Sequence, residues 1–276
     1  MTIAVAGNGA GPLLRDWRQR RRLSQLDLAV EAGVSTRHLS FVETGRAQPS
    51  PELLLALADR LQVPLRERNS MLLAAGYAPR FRQTPLDDPA MAQVRAALER
   101  MLALHDPYPG VVINQSWDIV LANRAASRLV TALPPSLAGP PVNVFRACLH
   151  PDGLAGVTLN FPAWATYLLH QLHRLRLLTA DPQVTALAEE VSRYPNVESL
   201  VRARDQVRQP PEEPALLVPW RAELNGAEIS LFTTLTSFGT PRDITLAELA
   251  VELFYPADEK TAGILRGWQA DSPPGS

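Results

Sequence analysis

Thr36, Arg37 and Ser40 are polar side chains at helical spacing within the stretch 24–45, SQLDLAVEAGVSTRHLSFVETG. Their donors and acceptors suit the edges of nucleic-acid bases. A guanidinium can pair bidentately with guanine O6 and N7, so Arg37 is the expected base reader, with a plain phosphate contact as the alternative. Gln25, Arg46 and the backbone amides at the helix starts are placed to meet phosphates and set register, with Ser35 at the head of the reading helix. Phe41 is divided between a thymine methyl and core packing, and His38 between packing and phosphate.

Two short helices must hold these groups. Ser24 is a good N-cap, and Asp27 three residues on completes a capping-box-like start. Leu28 and Ala29 share one face. Gly33 stands where the chain turns sharply, a position open to positive φ. Ser35 caps the second helix, whose Leu39 and Val42 point back at Leu28 and Ala29. That leaves Thr36, Arg37 and Ser40 outward, the helix-turn-helix arrangement with a second helix sized for a major groove. A basic helix over 13–22 precedes it. An apolar-striped helix over 51–61 follows, with Pro51 at its first position, and 64–76 reads as a fifth helix ended by Gly76.

Other chemistries are poorly supplied. His150, His170 and His173 could in principle meet zinc, but no HExxH, CxxC or nearby acidic ligand completes a site. Cys148 is the single cysteine and has no evident base partner, so it reads as a small buried group. There is no Gly-rich phosphate loop of usual spacing. The expectation is no catalytic residue, no metal and no enzyme.

The 276 residues suffice for two domains. The net charge of −1 hides a split: residues 1–83 hold twelve Arg against seven Asp and Glu, and the remainder is acidic. A basic head and an acidic body suit a head that meets phosphate. One cysteine suggests a reducing compartment, so a cytoplasmic setting is expected. No run approaches a membrane span of about 18 apolar residues. The opening residues, MTIAVAGNGAGP, read as a disordered tail without a signal sequence.

The expected boundaries are a helical head at 12–76, a Pro-rich linker at 77–89, a body at 90–260 and a tail at 261–276 ending in disordered DSPPGS. In the body, 90–105 is helical. Residues 111–122 read as a hairpin, followed by a helix capped by Asn123. NVFRACLH at 143–150 is a short apolar element. Residues 161–178 form a long helix with a stripe of Phe161, Trp164, Leu168, Leu172 and Leu175. Helical pattern continues over 182–194 and 196–206, and 209–219 is a Pro-rich loop. Asn225-Gly226 between alternating apolar runs marks a second hairpin. Residues 246–256 are ambiguous. Glu248 and Glu252 at i, i+4 favour helix, while Val251–Tyr255 has strand character. The class is therefore α+β, an all-helical head followed by a domain with an antiparallel sheet.

Residues 12–65 resemble the Xre/Cro/C1 helix-turn-helix regulators. The match is carried by Ser24-Gln25, Leu28-Ala29, Gly33-Val34-Ser35, Glu43-x-Gly45, Pro49 and Leu57-Ala58…Leu61. The resemblance implies a structural ion pair between Arg18 and Glu43, with a phosphate-facing Arg18 as the alternative. The order strand–strand–helices–strand–strand resembles a PAS-like domain. Residues 107–260 resemble the ligand-binding domain of MmyB-like regulators through Trp117-Asp118 with Asn123, LHPDGL at 149–154, NFPAW at 160–164, DP at 181–182, YPNV at 194–197 and FGTPRDITLAELAVELFYPAD at 238–258. Phe161 departs from that pattern, where an acidic or polar-aromatic pair often follows the Asn, which leaves ligand identity open.

The resemblance implies a bacterial one-component transcription regulator. It would bind double-stranded DNA as a homodimer under control of a small apolar, fatty-acid-like ligand, with no other cofactor and no membrane insertion. Trp117, Phe161, Trp164 and Leu168 would line the ligand site, between the sheet and helix 161–178; otherwise they are ordinary core. The rival is a DNA-binding regulator whose body serves only dimerisation or partner binding. A body with hydrolytic or metal-dependent activity is a third reading.

Overall fold

The computed structural model describes residues 9–179, 181–206 and 217–270. They divide into two compact units: one runs to Pro85 and includes 239–247, and the other holds Leu86–Phe238 and the chain from Glu248.

The described residues up to Pro85 in the first unit form the helices α1 (Ala10–Arg20), α2 (Gln25–Glu31), α3 (Thr36–Glu43), α4 (Pro51–Arg60) and α5 (Leu65–Ala74). The capping box forms as its residues require. Ser24 Oγ accepts from the Asp27 amide at 3.1 Å, and Asp27 accepts from the Ser24 amide at 3.1 Å. Gly33, Gly45 and Gly76 take φ of +67°, +72° and +82° after α2, α3 and α5, where a Cβ would add strain. Leu28, Ala29, Leu39 and Val42 are all buried, joined by Leu14, Leu54, Leu57, Leu61 and Met71. Each such leucine contributes about 1.5–3 kcal/mol by leaving water. α1 starts at Ala10, three residues before the basic helix expected from sequence. Gly11 makes this possible, since a Cβ there would collide with the carbonyl oxygens of Val42 and Glu43.

The stretch 77–89 is not wholly free linker. Arg82 forms a parallel β-bridge with Asp243, and Ile244 N donates to Arg82 O at 2.8 Å. Thr84 Oγ1 donates to the Asp243 carboxylate at 2.7 Å.

The second unit opens with α6 (Ala92–His105), the strands β1 (Gly110–Ile113) and β2 (Ile119–Ala122), then α7 (Arg124–Thr131), α8 (Pro135–Ala138), α9 (Val144–Leu149), α10 (Phe161–Thr179), α11 (Pro182–Ser192) and α12 (Pro195–Gln206). It continues with β3 (Trp220–Leu224) and β4 (Ala227–Ser237). After α13 (Ile244–Glu248), most of which belongs to the first unit, come β5 (Ala250–Pro256) and α14 (Glu259–Ala270). The five strands form one antiparallel sheet in the order β2-β1-β5-β4-β3. Asn123 caps α7 as expected and also ties the sheet to its neighbours. Its Oδ1 accepts from the Ala126 and Gly110 amides, and its Nδ2 donates to Tyr108 O. Asn225 and Gly226 take φ of +50° and +73° in the two-residue turn between β3 and β4.

Two expectations are corrected. The helix favoured for 246–256 stops at Glu248, and Ala250–Pro256 is instead the central strand β5, paired on both sides. Its β-branched and aromatic residues outweigh the i, i+4 spacing of Glu248 and Glu252. The tail assigned from 261 is occupied by α14, whose Ala262 and Leu265 are buried. The terminal DSPPGS, residues 1–8 and most of the Pro-rich stretch 209–219 lie outside the described residues.

One face of the sheet carries Val111 and Ile113 of β1, Ala250, Glu252 and Phe254 of β5, Ile229, Leu231 and Thr233 of β4, and Trp220 and Ala222 of β3, as the register of opposed pairs dictates. Phe145, Leu149, Trp164, Leu168, Leu172, Val184 and Leu187 from α9, α10 and α11 join this face in one apolar core. The order of strands with helices inserted between β2 and β3 is PAS-like.

Candidate nucleic-acid interface and ligand-domain core

Arg18 and Glu43 lock α1 against the end of α3. Arg18 Nε and Nη2 donate to the two Glu43 oxygens at 2.7 and 2.9 Å, a fork-on-fork pair whose residues are 9 % and 4 % exposed. Arg18 Nη1 also donates to Leu23 O at 2.8 Å. Burial alone would push the Glu43 carboxyl up. Hydrogen bonds from Arg18 and Gln25, with the charges of Arg18 and Arg15, hold it below the usual carboxylate range. The hydrogen bond to Glu43 raises the Arg18 guanidinium in turn. Arg18 is therefore a structural residue, and its phosphate-facing alternative does not hold.

Gln25, expected to meet phosphate, also joins this pair: its Nε2 donates to Glu43 Oε2 at 2.7 Å from a half-buried position. Ser35 Oγ accepts from His38 N at 3.1 Å, which occupies a lone pair as a cap and leaves its O–H to donate. Thr36 and Ser40 are half-buried, and Arg37 and Arg46 are exposed. Arg37 lies over the Phe41 ring at 5.4 Å, an arrangement that restrains the long side chain on the outer face of α3.

Arg21 has a role that sequence reading missed. Its Nε donates to Leu61 O at 2.8 Å and its Nη2 to Gln62 O at 3.2 Å, so it satisfies carbonyls at the end of α4. Inside a run of three arginines nothing local distinguishes it.

In the second unit the expected ligand residues lie in the core. Trp117, Trp164 and Leu168 are buried and Phe161 is partly buried against the same cluster. Trp117 takes φ +63°, uncommon for a bulky residue, at a turn where Asn114 Oδ1 accepts from the Ser116 and Asp118 amides. The turn drives the indole against Phe145, with centroids 4.7 Å apart. Trp164 stacks on Tyr167 at 5.2 Å.

A cavity of about 480 Å³ lies elsewhere over the sheet. It is lined by Pro107 and Pro109, by Arg124, Arg128 and Leu129 of α7, by Leu224 and Ile229 of the β3–β4 hairpin, and by Leu265 and Trp268 of α14. None of the four expected residues lines it. Arg124 sits 4.0 Å from Asp106, and Arg128 donates to Trp268 O at 2.7 Å. α14 had been read as tail, so sequence reading had no wall to place here.

Sequence reading also missed Glu252. It faces the core from β5, is 5 % exposed and leaves Oε2 without a partner. Burial pushes its carboxyl up to about 7, against a smaller lowering by a hydrogen bond from Thr233. Cys148 is pushed up to about 12 by burial and then by the charge of Glu252, with the Trp164 indole lowering it in part. Among the described residues no group of three His, Cys, Asp or Glu could hold a metal ion, and no helix is long and apolar enough to cross a membrane. His150 is engaged locally, its Nδ1 accepting from the Asp152 amide at 3.1 Å.

Comparison with known proteins bears on both units. Over 114 residues the chain is 28 % identical to an HTH-type transcriptional regulator of Bacillus subtilis (strain 168), RghRB, itself described as uncharacterized; the match spans 41 % of this chain and 73 % of that protein. The solved PAS domain of Bordetella pertussis BvgS is 15 % identical, covering 65 % of this chain and 98 % of that one at a TM-score of 0.26. An RNA-binding light-oxygen-voltage receptor is 13 % identical, covering 98 % and 65 %, at the same TM-score. The fold assignment rests on strand order and not on these two likenesses. Residues 14–68, which contain the Arg18–Glu43 pair and the outward face of α3, match the helix-turn-helix family, here of Xre type. Residues 94–267, from α6 through most of α14, match the MmyB-like transcription regulator ligand binding domain. With a DNA-binding head and a ligand-binding body each matched along its length, the chain belongs to the MmyB-like transcription regulators.

Proposed function

We propose that this regulator binds its operator as a homodimer in the cytoplasm, and that a small apolar, fatty-acid-like molecule in the second unit sets its DNA affinity. The apolar cavity of about 480 Å³ with Arg124 and Arg128 in its lining carries this reading. Its size and composition suit a small molecule, and a guanidinium suits a carboxylate end. No other cofactor is needed. The ligand acts by binding two conformations unequally.

The test is thermal unfolding of the full chain with saturated fatty acids of 8 to 16 carbons. The melting temperature should climb as concentration passes through Kd. Arg124→Ala should weaken fatty acids and leave the matching alcohols unchanged. If no chain length shifts the melting temperature and the purified protein carries no lipid, the ligand reading loses to the dimerisation reading. That second reading has its own support. Val94, Ala97, Met101 and Leu104 form a stripe along α6, with Met101 41 % and Leu104 88 % exposed. A stripe of that kind suits a second copy.

On DNA, Arg37→Ala should cost about 1–3 kcal/mol at the operator and relax preference at one base pair. Arg46→Ala should weaken binding evenly across sequences, with a shallower salt dependence. Competition binding with operator and random duplexes measures both. An equal loss on the two duplexes for Arg37→Ala would make Arg37 a phosphate contact.

A further inference from the structure

The cavity wall holds an ion pair that does not close. Asp106, Arg124 and Ala125 all line the cavity of about 480 Å³. Arg124 Nε stands 4.0 Å from Asp106 Oδ2, with the side chains 48 % and 15 % exposed. A charged hydrogen bond between such groups spans about 2.7–2.9 Å, so the two are adjacent but short of one. Among the described residues the one hydrogen-bond donor to the Asp106 carboxylate is the Ala125 amide, 3.4 Å from the other oxygen, Oδ1. That contact draws the carboxylate to the first turn of α7, where the helix dipole favours a negative charge, while Arg124 opens the same helix. Oδ2 therefore keeps acceptor capacity on the cavity wall, beside a guanidinium.

We propose that the cavity selects a hydroxy fatty acid, with its hydroxyl on the second or third carbon filling the gap between Arg124 and Asp106. A separation of 4.0 Å is one that a single oxygen bridges at ordinary hydrogen-bond lengths. The hydroxyl accepts from Arg124 Nε and donates to Asp106 Oδ2. A carboxylate oxygen can only accept, so it cannot make both bonds. The acid group of the ligand stays with Arg124 and Arg128, one turn apart on α7, and its chain lies against Leu129, Ile229 and Leu265. This proposal rests on the ligand-sensing reading and names the class of that ligand. Asp106 supplies the selectivity: it rewards the hydroxyl, and it opposes a plain fatty acid whose carboxylate would lie beside it with no donor between them.

The experiment measures, by thermal stabilisation, binding to the full chain of laurate, of 2- and 3-hydroxylaurate and of the two corresponding fluoro acids. Fluorine is close to hydroxyl in size but cannot donate. One of the hydroxy acids should bind the native protein at least about tenfold more tightly than laurate, and one of its enantiomers should account for the gain, because the bridge fixes the hydroxyl between two atoms. The fluoro acids should bind no better than laurate. Asp106→Ala should erase the preference and bind laurate more tightly than the native chain does, a gain that a merely structural role for Asp106 would not produce. Equal binding of laurate and both hydroxy acids, the result expected if water fills the gap, overturns the proposal and leaves the ligand-sensing reading standing. A fluoro acid that matches its hydroxy partner overturns it, as does a preference that survives Asp106→Ala. The fluoro comparison uses the native chain, so the test stays decisive should Asp106→Ala fail to fold. Absence of binding by every acid removes this proposal and the ligand-sensing reading together.

Discussion

Replacing Glu43 with alanine is expected to destabilise the first unit by about 3–5 kcal/mol, because it leaves the Arg18 charge buried without its partner. Arg18 would keep its bond to Leu23 O and lose both bonds to the carboxylate. Gln25 would lose its acceptor too. Arg18→Ala should cost a similar amount. The double variant Arg18→Met, Glu43→Leu should cost much less than the two single losses together, since an apolar pair of similar volume avoids the desolvation penalty. Glu43 ends α3, so the single variants should also loosen the reading helix and lower operator affinity at temperatures where the head remains folded. Urea unfolding of the full chain measures the stability difference. A loss under 1 kcal/mol for Glu43→Ala would show that the pair is not structural. The pair also sets an acid limit. The folded Glu43 carboxyl lies below its ordinary 4.5, so its stabilisation is present above that value and disappears as pH falls through the lower, folded one.

Glu252→Gln is expected to have the opposite sign and to depend on pH. A carboxyl raised from 4.5 to about 7 takes up a proton on folding between those values. Its ionised form therefore costs about 3 kcal/mol in the folded state. The penalty is absent below about pH 4.5 and complete only above pH 7, so the protein should lose stability through that window as pH rises. The Cys148 thiol, pushed up to about 12 by burial and then by the charge of Glu252, stays neutral throughout. Glutamine cannot ionise, so the variant should gain about 3 kcal/mol over the native chain at pH 8.5 and approach it at pH 4.5. Paired urea titrations at the two pH values isolate the effect, because every other titrating group is common to both proteins. A constant difference between variant and native chain would mean that Glu252 stays ionised or stays neutral throughout.

The helical head was legible in the sequence because its determinants are local. Ser24 and Asp27 cap within one turn, Gly33 needs only its own φ, and the spacing of Leu28, Ala29, Leu39 and Val42 defines the buried faces before any distant contact forms. Asn225-Gly226 and Asn123 were legible for the same reason. The ion pair between residues 18 and 43 came from family resemblance and not from spacing. The partners of Gln25 and Arg21 were missed because Glu43, Leu61 and Gln62 lie 18 to 41 positions away. An exposed-looking polar residue carries no local mark of such a partner.

The second unit depended more on tertiary structure. Four residues after Glu248, Glu252 read as a helix pair, yet pairing of β5 with both β1 and β4 made it a strand residue and turned its carboxyl into the core. α14 brought a helix over the sheet where the sequence suggested a tail, and with α7 and the β3–β4 hairpin it walls the cavity. Sequence by itself determined the two-part organisation, the helix-turn-helix unit and most of the apolar stripes, since these follow from periodicity and capping. Only tertiary structure decided which charges are buried and where the cavity lies, because desolvation and enclosure arise from elements far apart in the chain meeting in space.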